Sequence, residues 1–268
     1  MAVPRSSFYF AKKVKETKRS YNDNELSKTI VKEFVASKRT YGKRRIQACL
    51  QRTGQNISLE RIARLMKRAG LIAANKAHLK RLPVVPKAEN EASDDLVQRN
   101  FNPTKTNEVW VTDISYISTT QGWLYLAVVM DLYSRRVIGW KAYDHQRSEL
   151  VIDALKSARA RRPAAKGVKV HSDQGSQYRS KKYGEYVLSL GFKQSMGAAR
   201  TCYDNAPCES FFGSYKNESL HRRAKASLDE TRYEIFNYIE GFYNKKRLHS
   251  KLGYLSPMEY EKKNRVAV

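Results

Sequence analysis

Cysteine is scarce in this 268-residue chain: Cys49, Cys202 and Cys208 are its three cysteines, and no two form a Cys-x-x-Cys pair. An odd, scattered set supports neither a disulfide framework nor a thiolate zinc site. The five histidines, His78, His145, His171, His221 and His249, are equally dispersed, so any metal held here should be held by carboxylates. No apolar run approaches the roughly 20 residues that span a bilayer, and the N-terminal stretch lacks a signal-peptide apolar centre. The sequence therefore reads as cytoplasmic, with no membrane partner. Acidic residues are the other shortage: 26 stand against 51 Lys and Arg, a net charge of +25. The excess is spread over both halves of the chain, so one basic tail does not explain it, and a polyanionic partner follows. A hydrophobic fraction of 41% lies above the range of disordered chains and allows a folded core.

The length suits one substantial domain and a smaller module. From Asn24 to Lys38, Leu26, Ile30, Val31, Phe34 and Val35 recur at helical spacing behind an Asn cap. A second helical segment covers Arg44 to Arg52. A third opens at Ser58, repeats Leu59, Ile62, Leu65 and Met66, and stops at Gly70. These predict an all-α, helix-turn-helix-like module over residues 1–72. Arg61, Arg64, Lys67 and Arg68 on its last helix are candidates for DNA contact, with a solvated basic face as the alternative. Residues 73–106, carrying Pro83, Pro86 and an acidic patch, read as a linker. Beyond Asn107 the pattern turns to strands: Val109–Ile117, Trp123–Leu132 and Arg136–Tyr143 predict a three-strand antiparallel meander. Helices fit Ser148–Arg161, Lys181–Leu190, Pro207–Leu220 and Leu228–Lys245, and short strands fit Val168–His171 and Phe192–Ser195. The order implies an α/β fold, a mixed sheet covered by helices, over residues 107–262.

Three acids interrupt this scaffold. Asp113 breaks the apolar strand Val109-Trp-Val-Thr-Asp-Ile-Ser-Tyr-Ile117, where a buried carboxylate is costly unless it is paired or metal-bound. Asp173 follows the strand ending at His171. Glu209 opens a helix with Pro207 in its first turn, where an acid complements the helix dipole. Singly, each has an ordinary reading as an edge charge, a turn residue or a cap. Together, carboxylates without His or Cys companions are hard oxygen ligands suited to two Mg2+ or Mn2+ ions, the pair used in phosphoryl transfer on DNA. Asp131 is a fourth acid, read as structural and paired with Arg135 or Arg136.

The text around these acids resembles the DDE transposases of the insertion-sequence-three family, specifically their OrfB reading frame. The resemblance runs through Trp110-Val-Thr-Asp113, His171-Ser-Asp-Gln-Gly-Ser-Gln-Tyr178 and Asp204-Asn-Ala-Pro-Cys-Glu-Ser-Phe-Phe212, with 35 residues between Asp173 and Glu209. It continues at Lys216, Tyr243-Asn244, Arg247, His249 and Leu252-Gly-Tyr-Leu-Ser-Pro257, and upstream at Tyr41-Gly-Lys-Arg-Arg-Ile46 and Arg61-Ile-Ala-Arg-Leu-Met66. It implies a ribonuclease-H-like core shared with retroviral integrases, and catalysis by Asp113, Asp173 and Glu209. It also implies element-end and target DNA as substrates, and an OrfA fusion or partner, because this chain shows no long heptad run. Assembly on two DNA ends implies a homo-oligomer when bound.

Lys216 lies seven residues after Glu209, two helical turns on and within about 20° of the same direction, so it should hold a DNA phosphate beside the acids. His171, Gln177 and Asn205 are candidate supporting residues, Asn205 more simply as a helix cap. Arg247, amid Lys245, Lys246 and Lys251, should track the DNA backbone with Tyr243 packed beneath. Two other functions fit parts of the pattern: a non-catalytic DNA-binding regulator on a decayed scaffold, and a structure-selective nuclease of the same fold.

Overall fold

The computed structural model describes residues 18–74, 93–98, 100–197, 205–222 and 224–264. The chain divides into two compact units, Met1–Asn75 and Lys76–Val268.

The first unit is built from helices α1 (Lys18–Ala36), α2 (Lys43–Arg52) and α3 (Leu59–Arg68). Leu26, Ile30 and Phe34 recur every fourth residue along α1 and are buried, as are Ile46 and Leu50 of α2 and Ile62 and Leu65 of α3, and the three helices pack on one another. Ser58 starts α3 by accepting the Arg61 N–H at 3.3 Å. The expected Asn24 cap is a correction. Asn24 lies inside α1, and its side-chain oxygen accepts a 2.6 Å hydrogen bond from Arg68.

The second unit holds a five-stranded sheet of order β3-β2-β1-β4-β5, from β1 (Val109–Thr119), β2 (Gly122–Asp131), β3 (Arg136–Tyr143), β4 (Lys169–Ser172) and β5 (Lys193–Met196). The first three strands form the antiparallel meander, and β4 then pairs parallel with both β1 and β5. Both sheet faces are covered. Trp110, Ala127, Val129 and Ile138 pack with Leu150, Ala154, Leu155 and Ala158 of α4 (Ser148–Arg161) and with Tyr183 and Val187 of α5 (Lys181–Ser189). Val111 and Val128, one residue out of phase, are also fully buried. The α4 contact is close enough to require glycine at 139. A Cβ there would lie 2.3 Å from the Ala154 carbonyl oxygen and 2.6 Å from the Ala158 nitrogen.

A second helical layer follows, with α6 (Ala206–Glu218), α7 (Leu228–Phe236) and α8 (Pro257–Lys263). The sequence predicts one helix from Leu228 to Lys245; instead α7 gives way at Asn237 to a π-helical segment, Asn237–Tyr243. The wider turn, marked by Asn244 N–H bonding Ile239 O at 3.0 Å, buries Tyr238, Ile239, Phe242 and Tyr243 together, with Tyr238 and Tyr243 against Phe211. The sequence reading lacks α8 altogether. Its signal is Ser256-Pro-Met-Glu259, which forms a complete capping box.

Candidate active site

The β1–β4 register brings two of the acids together. Val109, Trp110 and Val111 pair with Lys169, Val170 and His171, so Asp113 and Asp173 each stand two residues beyond the last pair. Equal offset and equal parity put both side chains on one face of neighbouring strand ends. β4 stops at Ser172, and Asp173 enters a tight turn in which its Oδ1 accepts the Gly175 N–H at 3.0 Å. Asp113 Oδ1 accepts the Ile114 N–H at 2.8 Å. The Tyr178 hydroxyl, 3.1 Å from Thr112 Oγ1, pins the far side of the turn to β1.

Helix α6 delivers the third acid. Asn205 occupies its cap position, but its side chain makes no capping bond. It reaches β1 instead, donating from Nδ2 to the Thr112 carbonyl at 2.9 Å, immediately before Asp113. The expected cap is thus corrected: Asn205 clasps the start of α6 to the strand bearing Asp113. Its Oδ1 is buried without a hydrogen-bond partner among the described residues. Glu209 lies one turn on, exposed, and Lys216 two turns further, half-buried.

These groups share one electrostatic field. Burial holds the Asp113 carboxyl well above the usual carboxylate range, and the charge of Asp173 and then of Glu209 adds to this, against the opposing Ile114 N–H and Lys216. Asp173 reaches solvent at the mouth of the site, yet surrounding protein raises its carboxyl too, against the Gly175 N–H and His171. Partial burial raises Glu209. Burial lowers Lys216, and the charge of Asp113 opposes that shift. Three carboxylates with raised proton affinity, that of Asp113 raised in part by the charges of Asp173 and Glu209, form a donor set that a hard divalent cation would relieve. Among the described residues no three such ligands stand close enough to form a closed metal cage.

The other residues singled out from sequence fall differently. His171 is buried beneath Asp173, with Nδ1 2.9 Å from Ser195 Oγ and 3.8 Å from Asp95 Oδ1. Gln177 lies in the Asp173 turn, where a Cβ at Gly175 would come within 3.2 Å of its Oε1. Arg247 is a correction. Its side chain is only 7% exposed and forks onto Glu218, Nε to Oε2 and Nη2 to Oε1 each at 2.7 Å, with Nη2 also 2.8 Å from Ser214 Oγ. Tyr243 does pack against its guanidinium, at 5.7 Å from the ring centroid. The neighbouring Lys245, Lys246 and Lys251 are exposed. Asp131 accepts the backbone N–H groups of Asn107 and Tyr133, each at 3.0 Å, while Arg136 pairs with Glu261. The expected Asp131–arginine pair is corrected accordingly. In the first unit, Arg61 and Arg64 both pair with Asp23, at 2.7 and 2.9 Å, and Arg68 bonds the Asn24 amide, while Lys67 is an exposed cation of α3 that pairs with no acid among the described residues. Asp204 and Cys202 lie outside the described residues.

Comparison with known proteins gives three domain matches: an HTH-like domain over residues 21–78 and integrase core domains over 103–202 and 209–264. Transposase InsF for insertion sequence IS3A of Escherichia coli (strain K12) is 38% identical over 267 residues, covering 98% of this chain and 92% of that protein. An uncharacterized 31 kDa protein of insertion element IS600 from Shigella sonnei is 37% identical over 269 residues, covering 97% and 96%. A chain of the simian T-cell lymphotropic virus intasome, solved in complex with PP2A regulatory subunit B56 gamma, has the same fold at a TM-score of 0.52 and 15% identity, over 83% of this chain and 72% of that one. With near-complete coverage at this identity, and an integrase core behind an HTH-like domain, the chain belongs to the IS3 family of DNA transposases.

Proposed function

We propose that Asp113, Asp173 and Glu209 hold two Mg2+ or Mn2+ ions and that this site cleaves the ends of an insertion element and joins them to a second phosphodiester. The observation carrying this reading is the parallel β1–β4 register that sets Asp113 beside Asp173, with the charges of Glu209 and Lys216 felt at Asp113. When bound, the two ions supply activation of the attacking oxygen and stabilisation of the leaving oxygen in an in-line displacement. Asp113, Asp173 and Glu209 would together hold the ions, Asp113 as the acid shared between them. Lys216 holds a neighbouring phosphate and positions the strand without taking a proton. His171 and Gln177 support the Asp173 turn, and Asn205 fixes α6 against β1. In the first step a P–O bond forms to water and the 3′ oxygen leaves as a hydroxyl. In the second, that hydroxyl forms the new P–O bond and the target strand's own 3′ oxygen leaves.

In this reading residues 1–72 contact DNA, with Lys67 the freest cation of α3, residues 73–106 link, and residues 107–262 catalyse. The chain works on bacterial cytoplasmic DNA as a homo-oligomer bound to two ends, with an OrfA fusion or partner supplying end recognition. The test is a pre-cleaved end oligonucleotide incubated with Mg2+ or Mn2+, parent beside Glu209→Gln. Joined product from the parent alone is expected. Cutting of branched DNA without joining would instead favour a nuclease, and metal-independent binding without either product a regulator.

A further inference from the structure

A cavity of about 370 Å3, within the ~300–1,000 Å3 usual for ligand clefts, lies between the strand that carries Asp113 and the C-terminal end of the helix that carries Glu209. One wall is the β1–β2 hairpin, with Tyr116 and Trp123. The other is the end of α6 with Lys216, the segment beyond it with His221 and Lys225, and α7 with Glu234. Hydrogen bonds tie the hairpin tip to the segment after α6: Thr120 N–H to Ala226 O at 2.9 Å, and Leu228 N–H to Gln121 Oε1 at 2.8 Å. Two lining residues also face the acids electrostatically. Lys216 feels Asp113, and Tyr116 feels both Asp173 and Asp113. Trp123 is 53% exposed, so its ring is open to a stacking partner from solvent.

An aromatic platform, cations at the rim and one carboxylate form the composition that takes a nucleotide: ring for base, cation for phosphate, acceptor for an exocyclic amine. We infer that this cavity is a nucleobase pocket, in which one unpaired base of the bound DNA end stacks on Trp123 while its phosphate meets Lys216 and Lys225 and an amino group donates to Glu234. An extruded base would lock the strand in register with the scissile phosphate next door. The inference rests on the proposed site in supposing that DNA lies across the acids.

The test compares end duplexes carrying either a normal or an abasic terminal nucleotide, bound to the full chain without divalent cation. The parent should bind the base-bearing end roughly ten-fold more tightly, the stacking contribution expected of one aromatic. Trp123→Ala should lose that ratio, Trp123→Phe should keep most of it, and 2-aminopurine at the position should be quenched by the parent but not by Trp123→Ala. Equal binding of both ends by the parent, or equal loss on both ends with Trp123→Ala, would overturn the pocket. Because the readout is a ratio without chemistry, its failure leaves the joining assay intact, and failure of Glu209→Gln to stop joining leaves this ratio intact.

Discussion

Truncating Arg247 separates a buried structural arginine from the DNA contact that its basic neighbourhood suggests. In the folded chain its guanidinium makes a two-pronged pair with Glu218, both side chains 7% exposed, and a further bond to Ser214. The Tyr238 hydroxyl donates to Glu218 at 2.9 Å. Arg247→Ala leaves a buried Glu218 carboxylate with that hydroxyl but without its guanidinium, and breaking one side of a buried pair costs about 3–5 kcal/mol. For a unit of this size, each kcal/mol lowers Tm by roughly 2–4 °C, so a fall on the order of 10 °C is expected by calorimetry or circular dichroism. Glu218→Leu combined with Arg247→Met should recover much of the loss, because no unpaired charge remains. Duplex binding at low temperature should keep its salt dependence, whereas a phosphate contact would remove about 0.9 from the slope of log K against log salt. A variant melting within about 1 °C of the parent, with that slope reduced, would refute the reasoning.

Gly139→Ala places a methyl group into the α4 backbone and should cost about 3 kcal/mol, read as a lowered denaturation midpoint; an unchanged midpoint would show that α4 shifts freely. Asp131 is held at about 6 by burial against an ordinary 3.8, so its folded form binds the proton more tightly. Its contribution is therefore complete below pH ~4 and is lost as pH rises through ~6, about 3 kcal/mol in all. Asp131→Asn should flatten that part of the stability–pH curve, and an unaltered slope would count against the assignment. Lys216→Ala should reduce the salt slope of end-DNA binding by about 0.9 and lower joining with little change in Tm; a fall in Tm alone would mark Lys216 as structural. Asn205→Ala removes one buried bond, worth about 1 kcal/mol, but should reduce joining more than that loss of stability explains, since it loosens α6 beside Asp113.

Local pattern carried much of this fold. The meander was readable because alternation and continuous apolar runs are properties of neighbouring residues, and Arg136–Tyr143 and Ser148–Arg161 have the bounds their periodicity predicts. The end of α7 was not, because the π-helical segment answers to an aromatic cluster reaching back to Phe211 and Tyr215. Arg247 illustrates the same limit. A run of basic residues looks like a DNA track, and only Glu218, 29 positions upstream, shows that one member points inward. Asn205 had the identity of a cap, yet its partner is a carbonyl 93 residues away. The acids were visible as chemistry out of place, but the nearness of Asp113 and Asp173 follows from a strand register that the sequence does not state. The cavity at Trp123 had no linear signature, since its walls join a hairpin to a helix end about 100 residues later.

Anomalous scattering from crystals grown with Mn2+ and a pre-cleaved end duplex would locate the cations directly. Two peaks are expected, both within bonding distance of Asp113, one also touching Asp173 and the other Glu209, and both lost in Asp113→Asn. Peaks that avoid these carboxylates, or that persist unchanged in Asp113→Asn, would contradict the account.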